Sequence, residues 1–329
     1  MVDCLAMPKR VLVWTAGGEC ALCDALAPLE GISAERAGSR AEALAAMCEA
    51  DALVTSTVLW DAELAGRLHR ASRLVWIQIL NAGFDNMERL GVPERVTVTT
   101  VGDIGSRVVA EHAVSLLLSL LRGLPAAVAA QRREEWDPAG VARAARTLDG
   151  LHLGILGFGH IGERVATLAR AFGARLVAFA RTARTAPDGT EVRSIETFLE
   201  SLSALDALLV CAPLNAGTER LVDAAACAAL RPGAFLVNVS RGGILDTDAL
   251  VDALRRGRLG GAALDVVEPE PLPKSHPLWS LPNVLVTPHT AWAAAGGAQT
   301  ERLRELVAQN ARRFARGERL CNIAPLQRI

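Results

Sequence analysis

The sequence predicts an α/β protein of two layered units, each a mostly parallel sheet with helices on its faces. Three observations lead there. The chain has 329 residues, of which 51% are apolar, enough for two domains with a core each. Short apolar, β-rich runs alternate with helix-length segments along nearly the whole chain, as parallel βα units do. In one place, GILGFGHIG at residues 154–162, a buried strand, a glycine-rich turn and a helix start coincide.

In the first third, residues 10–14 (RVLVW) make a strand closed by Gly17-Gly18, and residues 20–29 make a helix. A second helix at 40–48 leads to a strand at 52–55. Residues 74–79 form a buried strand followed by Asn81-Ala82-Gly83, and residues 96–100 form another. This third contains no glycine fingerprint and is an α/β unit of its own. Residues 106–122, SRVVAEHAVSLLLSLLR, are helix-length, and their second half is apolar on nearly every side. Such a helix must be buried on more than one face, between domains or in a dimer interface. Residues 132–136 are polar and read as a surface turn.

At Leu151 the βα rhythm resumes. Leu151, Leu153, Ile155 and Leu156 lead into Gly157, Gly159 and Gly162. The first glycine permits the tight turn, the second lets backbone approach a pyrophosphate, and the third lets helix pack on strand. With helix N–H groups facing the anion, Gly157, Phe158, Gly159, His160, Ile161 and Gly162 form a candidate dinucleotide loop. The helix ends at Phe172-Gly173, glycine standing where a left-handed cap is wanted. Strands follow at 175–179, 207–211, 234–239, 261–266 and 283–287, then an amphipathic helix at 300–316.

An acid about 20 positions past the last glycine normally holds the adenosine ribose. Here the strand at 175–179 runs into Ala180-Arg181-Thr182, with Arg184 beyond, and no carboxylate. The plain alternative is two surface arginines in a loop. The missing acid and the gained cations both favour a 2′-phosphate, so NADP(H) is expected in preference to NAD(H).

Charge and cysteine usage narrow the class. With 35 basic and 36 acidic residues, nothing attracts nucleic acid or an anionic membrane. The start has too short an apolar run for a signal peptide, and the longest such run, 114–121, falls far short of a span of roughly 20 residues. Seven scattered cysteines suit reduced thiols. Cys20 and Cys23 have CxxC spacing but no second pair to complete a zinc site, and read as structural thiols on a helix. The expectation is a soluble cytoplasmic protein with no metal site.

Three candidates for chemistry lie at strand ends in the second half. Arg241 follows the strand at 234–239, Glu270 lies past the strand at 261–266, and His289 lies past the strand at 283–287. Ligands of open α/β sheets bind outside the carboxyl ends of strands. Each residue also has a plain alternative: an exposed arginine, a glutamate between prolines, a capping histidine.

The set GFGHIG, NVSRGGILDTDAL, ALDVVEPEPLP and NVLVTPHTA, in this order, resembles the D-isomer-specific 2-hydroxyacid dehydrogenase family. The upstream pieces IQILNAGFDNM and VVAEHAV fit it too, so the resemblance covers essentially the whole chain. It implies two Rossmann-like domains, a dinucleotide-binding domain at 105–295 inserted into a flavodoxin-like substrate domain of residues 1–104 plus 296–329. It also implies a homodimer formed through a helix like that at 106–122.

By the same resemblance, Arg241 holds the carboxylate and 2-oxo oxygen of the substrate, since a guanidinium grips an anion with two donors and keeps its charge. His289 exchanges a proton with the carbonyl oxygen as hydride moves, and Glu270 fixes its tautomer and favours imidazolium. Backbone N–H groups at Ala82 and Gly83 face the carboxylate from the other domain, with a closing motion that excludes water. Pro213, Thr218 and Asp265 contact the cofactor; Asp265 has a strand-end cap as its alternative role. Trp292 borders the pocket, either restricting it to small acids or stacking on an aromatic one. Trp136 either reaches a pocket across a dimer or packs on the surface, and Glu111-His112 reads as structural. Formate dehydrogenases have glutamine where Glu270 stands, and serine-pathway 3-phosphoglycerate dehydrogenases often carry an acidic cofactor residue that is missing here. The arginines resemble those of NADPH-preferring glyoxylate and hydroxypyruvate reductases. Reduction of a small 2-oxo acid to the D-2-hydroxy acid, or the reverse, is the expected activity. A dehydrogenase for larger or aromatic 2-oxo acids and a dinucleotide-sensing corepressor are the alternatives.

Overall fold

Two parallel sheets organise the structure, a computed structural model that describes residues 7–292 and 297–326. The chain divides into two compact units, Met1–Gly105 with Ala295–Ile329, and Ser106–Ala294.

The first unit contains β1 (Lys9–Val13), β2 (Ile32–Arg36), β3 (Ala52–Thr55), β4 (Trp76–Ile79) and β5 (Thr97–Thr99). They pair in parallel in the order β2-β1-β3-β4-β5, the flavodoxin arrangement. Side chains alternate between two cores: Val11, Val13, Ala52 and Val54 enter one, Leu12, Leu53, Ile77 and Ile79 the other. A strand buried on both faces reads as a continuous apolar run, which is why β1, β3 and β4 stand out in the sequence. The edge strand β2, ISAER, buries only Ile32 and presents no such run. Ser39 and Asp61 cap the helices Arg40–Ala46 and Ala62–Arg70 by accepting from Glu42 N and Leu64 N. The helix Ala298–Ala315 sets Val307, Ala308 and Ala311 into the core with β1 and β3.

The second unit contains β6 (His152–Leu156), β7 (Arg175–Ala180), β8 (Arg184–Thr185), β9 (Glu191–Ser194), β10 (Ala207–Val210), β11 (Ala234–Asn238), β12 (Leu259–Leu264) and β13 (Val284–Val286). Their order is β13-β12-β11-β10-β6-β7-β9-β8. Within it, β9-β7-β6-β10-β11-β12 repeats the 3-2-1-4-5-6 order of dinucleotide-binding sheets, and the chain reverses direction across the sheet between β6 and β10. Only β8 runs antiparallel, as a two-residue edge. Both faces are again apolar: Leu153, Ile155, Leu209 and Val237 line one core, Leu156, Leu208, Val210 and Leu236 the other.

The helix Ser106–Leu121 lies on the first of these cores, where Ala110, Ala113, Leu117 and Leu120 meet the side chains of β6 and β11. Ten of its 16 residues are buried. The helix packs against the helix His160–Ala171 and against β11 and β12. Gly123, at φ +66°, ends this segment before a second helix, Leu124–Arg132. Among the described residues no single helix is long and apolar enough to cross a membrane, and these two meet at a 67° bend.

Candidate active site

Parallel pairing brings the carboxyl ends of the second sheet to one edge. The registers match Asn238 with Leu264 and Leu264 with Val286, so β11, β12 and β13 end in one row. The segments that follow carry Arg241, then Asp265 and Glu270, then His289. Sequence separation is thereby converted into adjacency by the sheet.

His289 Nδ1 lies 2.9 Å from Glu270 Oε2. The other Glu270 oxygen accepts from Val267 N at 3.1 Å, which fixes the carboxylate. The Glu270 hydrogen bond raises the His289 pKa above its ordinary value; partial burial and the positive Arg241 oppose this, while the charges of Glu270 and Asp265 add to it. Glu270 shifts the opposite way. Partial burial alone would raise its pKa, but hydrogen bonds from His289 and Val267 and the charges of His289 and Arg241 outweigh it. Arg241 thus lies close enough to bear on both partners. With Nδ1 turned to a carboxylate, Nε2 is the ring nitrogen left for proton exchange with a ligand.

Arg241 is held by its neighbours. Asn238 Oδ1 accepts from Ser240 N at 3.0 Å, and Asn238 Nδ2 donates to Arg241 O at 2.8 Å. Ser240 Oγ also donates to Ala212 O, and Arg241 Nη1 to Ser240 O at 2.7 Å. A Cβ on Gly242 would fall 2.1 Å from the Val267 carbonyl carbon, so only glycine lets the Arg241 loop meet the loop leading to Glu270. Asn238 and Ser240 were missed as site residues, although asparagine at a strand end two residues before serine is the signature of an Asx turn.

Asp265 is almost wholly buried. Its Oδ1 accepts from Thr287 Oγ1 at 2.6 Å and Thr290 N at 2.9 Å, and its Oδ2 from Ala291 N at 3.0 Å. Its backbone carbonyl accepts from His289 N at 2.8 Å. Trp292 follows this turn and is half-buried.

The glycine loop follows β6 on the same edge. Gly157, at φ +92°, lies so close to Ala212 that a Cβ would come within 2.4 Å of its nitrogen; at Gly162 a Cβ would come within 2.2 Å of the Gly157 carbonyl oxygen. At Gly159 a Cβ would meet nothing within 4 Å. Gly159 caps the helix His160–Ala171, so the open backbone face stands at a helix N-terminus and fits a pyrophosphate. Exposed His160 and half-buried Ile161 open that helix, while the Phe158 side chain turns into the core.

The remaining candidates differ in what their polar groups meet. Arg181 and Thr182 are exposed past β7, and Arg181 makes no hydrogen bond among the described residues. Arg184 turns back on the glycine loop, donating to Phe158 O at 2.9 Å with its guanidinium 5.9 Å from the Phe158 ring centroid. Thr218 is buried; its hydroxyl donates to Pro213 O at 2.6 Å and closes the turn after β10, leaving Pro213 exposed. In the first unit, Ala82 ends a bend after β4 and Gly83 follows it, with Asn81 Oδ1 accepting from Thr57 N at 2.9 Å. Cys20 and Cys23 lie on the helix Glu19–Leu26, where Arg36 Nη1 donates to Cys20 Sγ. No group of metal-binding side chains occurs among the described residues.

A sequence model of the D-isomer specific 2-hydroxyacid dehydrogenase, NAD binding domain, matches residues 114–291. The glyoxylate reductase of Pyrococcus furiosus is 34% identical over 294 residues, covering 86% of this chain and 85% of that protein. A D-isomer specific 2-hydroxyacid dehydrogenase family protein from Aeromonas salmonicida subsp. salmonicida A449 has a crystal structure that matches with a TM-score of 0.80 at 28% identity, over 97% of this chain and 99% of that one. A D-isomer specific 2-hydroxyacid dehydrogenase from Xanthobacter autotrophicus Py2, in complex with NADPH and MES, matches with a TM-score of 0.78 at 28% identity, over 96% and 98% of the two chains.

Proposed function

The chain belongs to the D-isomer specific 2-hydroxyacid dehydrogenase family and is an NAD(P)-dependent oxidoreductase, and we propose that within this family it reduces a small 2-oxo acid of the glyoxylate or hydroxypyruvate kind. The observation that carries the reading is the His289–Glu270 contact at 2.9 Å beside Arg241, on the strand-end edge that also bears the glycine loop. Bound nicotinamide supplies or takes the hydride. Arg241 pairs with the substrate carboxylate and polarises the 2-oxo group. His289 Nε2 gives its proton to the carbonyl oxygen as the alcohol forms and recovers it in oxidation. Glu270 keeps the imidazole oriented and charged before the transfer.

For the cofactor we propose NADP(H) over NAD(H). The support is the exposed Arg181 where an acid would repel a 2′-phosphate, and the NADPH held by the Xanthobacter relative. Arg184 contributes through the loop it braces. A reducing, cytoplasmic setting is supported by six described cysteines that are all unpaired. A homodimer is supported by the apolar side chains left outside on the segment after the long helix: Leu124 at 48%, Val128 at 46% and Trp136 at 96% exposure.

Initial rates with glyoxylate, hydroxypyruvate, pyruvate and phenylpyruvate, each with NADPH and NADH, test the reading. The expected result is fastest turnover of glyoxylate or hydroxypyruvate with NADPH. Preference for phenylpyruvate would move the substrate to larger acids, with half-buried Trp292 as a stacking surface. No turnover of any of the four would remove the reading.

A further inference from the structure

A second histidine reaches the Asp265 turn from outside it. His112 lies on the helix Ser106–Leu121, and its Nε2 is 3.1 Å from Thr287 Oγ1 and 3.3 Å from Asp265 Oδ1. We propose that His112 is a positioning residue for His289, acting through Thr287 and Asp265. The inference rests on His289 being the acid/base group and adds a residue to that same site.

The proton inventory sets the direction. Thr287 Oγ1 has one proton and two lone pairs, and it donates to Asp265 Oδ1 at 2.6 Å. The hydroxyl proton therefore goes to Asp265. The hydroxyl oxygen then accepts from His112, whose proton must be on Nε2. The same N–H faces Asp265 Oδ1, so His112 locks the hydroxyl rotor and adds a donor beside a carboxylate whose side chain is only 1% exposed. A carboxylate so deeply buried is tolerated only when its lone pairs are met.

What this shell holds is the turn bearing His289. Thr287 binds Asp265 on one side of His289, and Thr290 and Ala291 bind it on the other. His289 sits between these anchors at φ +53°, a conformation an L-residue rarely adopts unless its surroundings impose it. Its own N–H bonds to Asp265 O. The residues of the turn supply all of these anchors to Asp265; His112 is the donor that comes from a separate helix. Loss of its N–H loosens the seat of the His289 ring while Arg241, on the β11 side, keeps its grip on the substrate.

Steady-state kinetics of His112→Leu, His112→Gln, Thr287→Val and the double variant His112→Leu/Thr287→Val test this, using the fastest acid of the panel above with NADPH. His112→Leu and Thr287→Val should each lower kcat about tenfold, as small misplacements of a reacting group do, with KM for the acid within about twofold. The double variant should fall no further than the worse single variant, because both changes break one chain of hydrogen bonds. His112→Gln, whose amide offers an N–H at similar reach, should recover more than half of kcat. Wild-type kcat in His112→Leu, failure of glutamine to rescue, or multiplying losses in the double variant would each overturn the inference. Should His112→Leu not fold, Thr287→Val decides: wild-type kcat there rejects the chain. His289→Asn, run alongside, separates the two claims. Retained turnover removes both, whereas turnover lost there but kept in His112→Leu removes the role of His112 alone.

Discussion

His289 Nδ1 and Glu270 Oε2, 2.9 Å apart, each hold the other in its charged form: the imidazole pKa is raised and the carboxyl pKa lowered. The pair is half-exposed, so its value lies in setting a protonation state more than in stability. Nδ1 is committed to the carboxylate, which leaves Nε2 as the nitrogen that can exchange a proton with a ligand.

The pH dependence follows from the sign of the shift. With His289 in its proposed role as the acid, reduction consumes imidazolium, so kcat/KM in that direction should fall as pH rises through the raised His289 pKa, while oxidation should show the opposite limb. Replacing Glu270 by Gln removes the negative charge and weakens the hydrogen bond that together raise the His289 pKa, and the alkaline limb for reduction should move to lower pH. A pH profile of kcat/KM for both proteins measures this. A limb that stays in place would mean that Glu270 does not set the protonation of the reacting group.

Loss of the ring itself should separate chemistry from binding. His289→Asn keeps a polar side chain near the seat of Nδ1 and discards the Nε2 proton. Turnover should fall by about 10²–10⁴, the usual contribution of a positioned acid. The glycine loop is built from other segments, so NADPH affinity, followed by the fluorescence of the bound nucleotide, should stay near that of the parent protein. Turnover close to wild type would assign the proton to another group.

The fold was legible where strands are buried on both faces. The apolar runs of β1, β3, β4, β6, β10 and β11 announce themselves, and the glycine loop fixes where the second sheet starts. The edge strands β5 and β13 were legible as well, but β2, β8 and β9 were not. The β2 sequence ISAER and the β8–β9 hairpin bury few side chains and carry no periodic signal. In the site, residue type and strand-end position were enough to nominate Arg241, Glu270 and His289. Sequence could not say which partners would take up each polar group. Arg184 meets the Phe158 carbonyl, Thr218 closes its own turn, and His112 finds Thr287 across 175 residues. The Arg184 and His112 pairings depend on the sheet order that brings distant segments together, which no local pattern encodes.

The two arginines past β7 should therefore behave differently. Both are exposed, but Arg184 also donates to the Phe158 carbonyl and lies over the Phe158 ring in the glycine loop. Arg181→Ala should weaken NADPH binding about tenfold or more, consistent with losing a charge-assisted contact, and barely change NADH binding. Arg184→Ala should weaken both cofactors to a similar degree, because it releases the loop proposed to hold the pyrophosphate of either. Titration of each variant with both nucleotides reads this out. Equal losses in Arg181→Ala would show that it does not read the 2′-phosphate.

Stability of the first unit should depend on a buried polar network more than on its surface ion pairs. Gln78, Thr99 and Asn310 are all fully buried. Gln78 Oε1 accepts from Thr99 Oγ1 and from Asn310 Nδ2, each at 2.8 Å, and Asn310 Oδ1 accepts from Cys321 N at 2.8 Å. One side chain of the helix Ala298–Ala315 thus ties β4 to the C-terminal segment. In Asn310→Ala the half-buried Cys321 N–H loses its acceptor and Gln78 Oε1 keeps only its Thr99 donor, at about 1–3 kcal/mol in all. Arg40, by contrast, reaches Asp61 and Glu63 at 2.7 and 2.8 Å on the surface, where water competes for every charge. Urea unfolding should place the midpoint of Asn310→Ala well below the parent and that of Arg40→Ala nearly on it. The reverse ranking would mean that the C-terminal helix is held by its apolar face alone and that the network adds nothing.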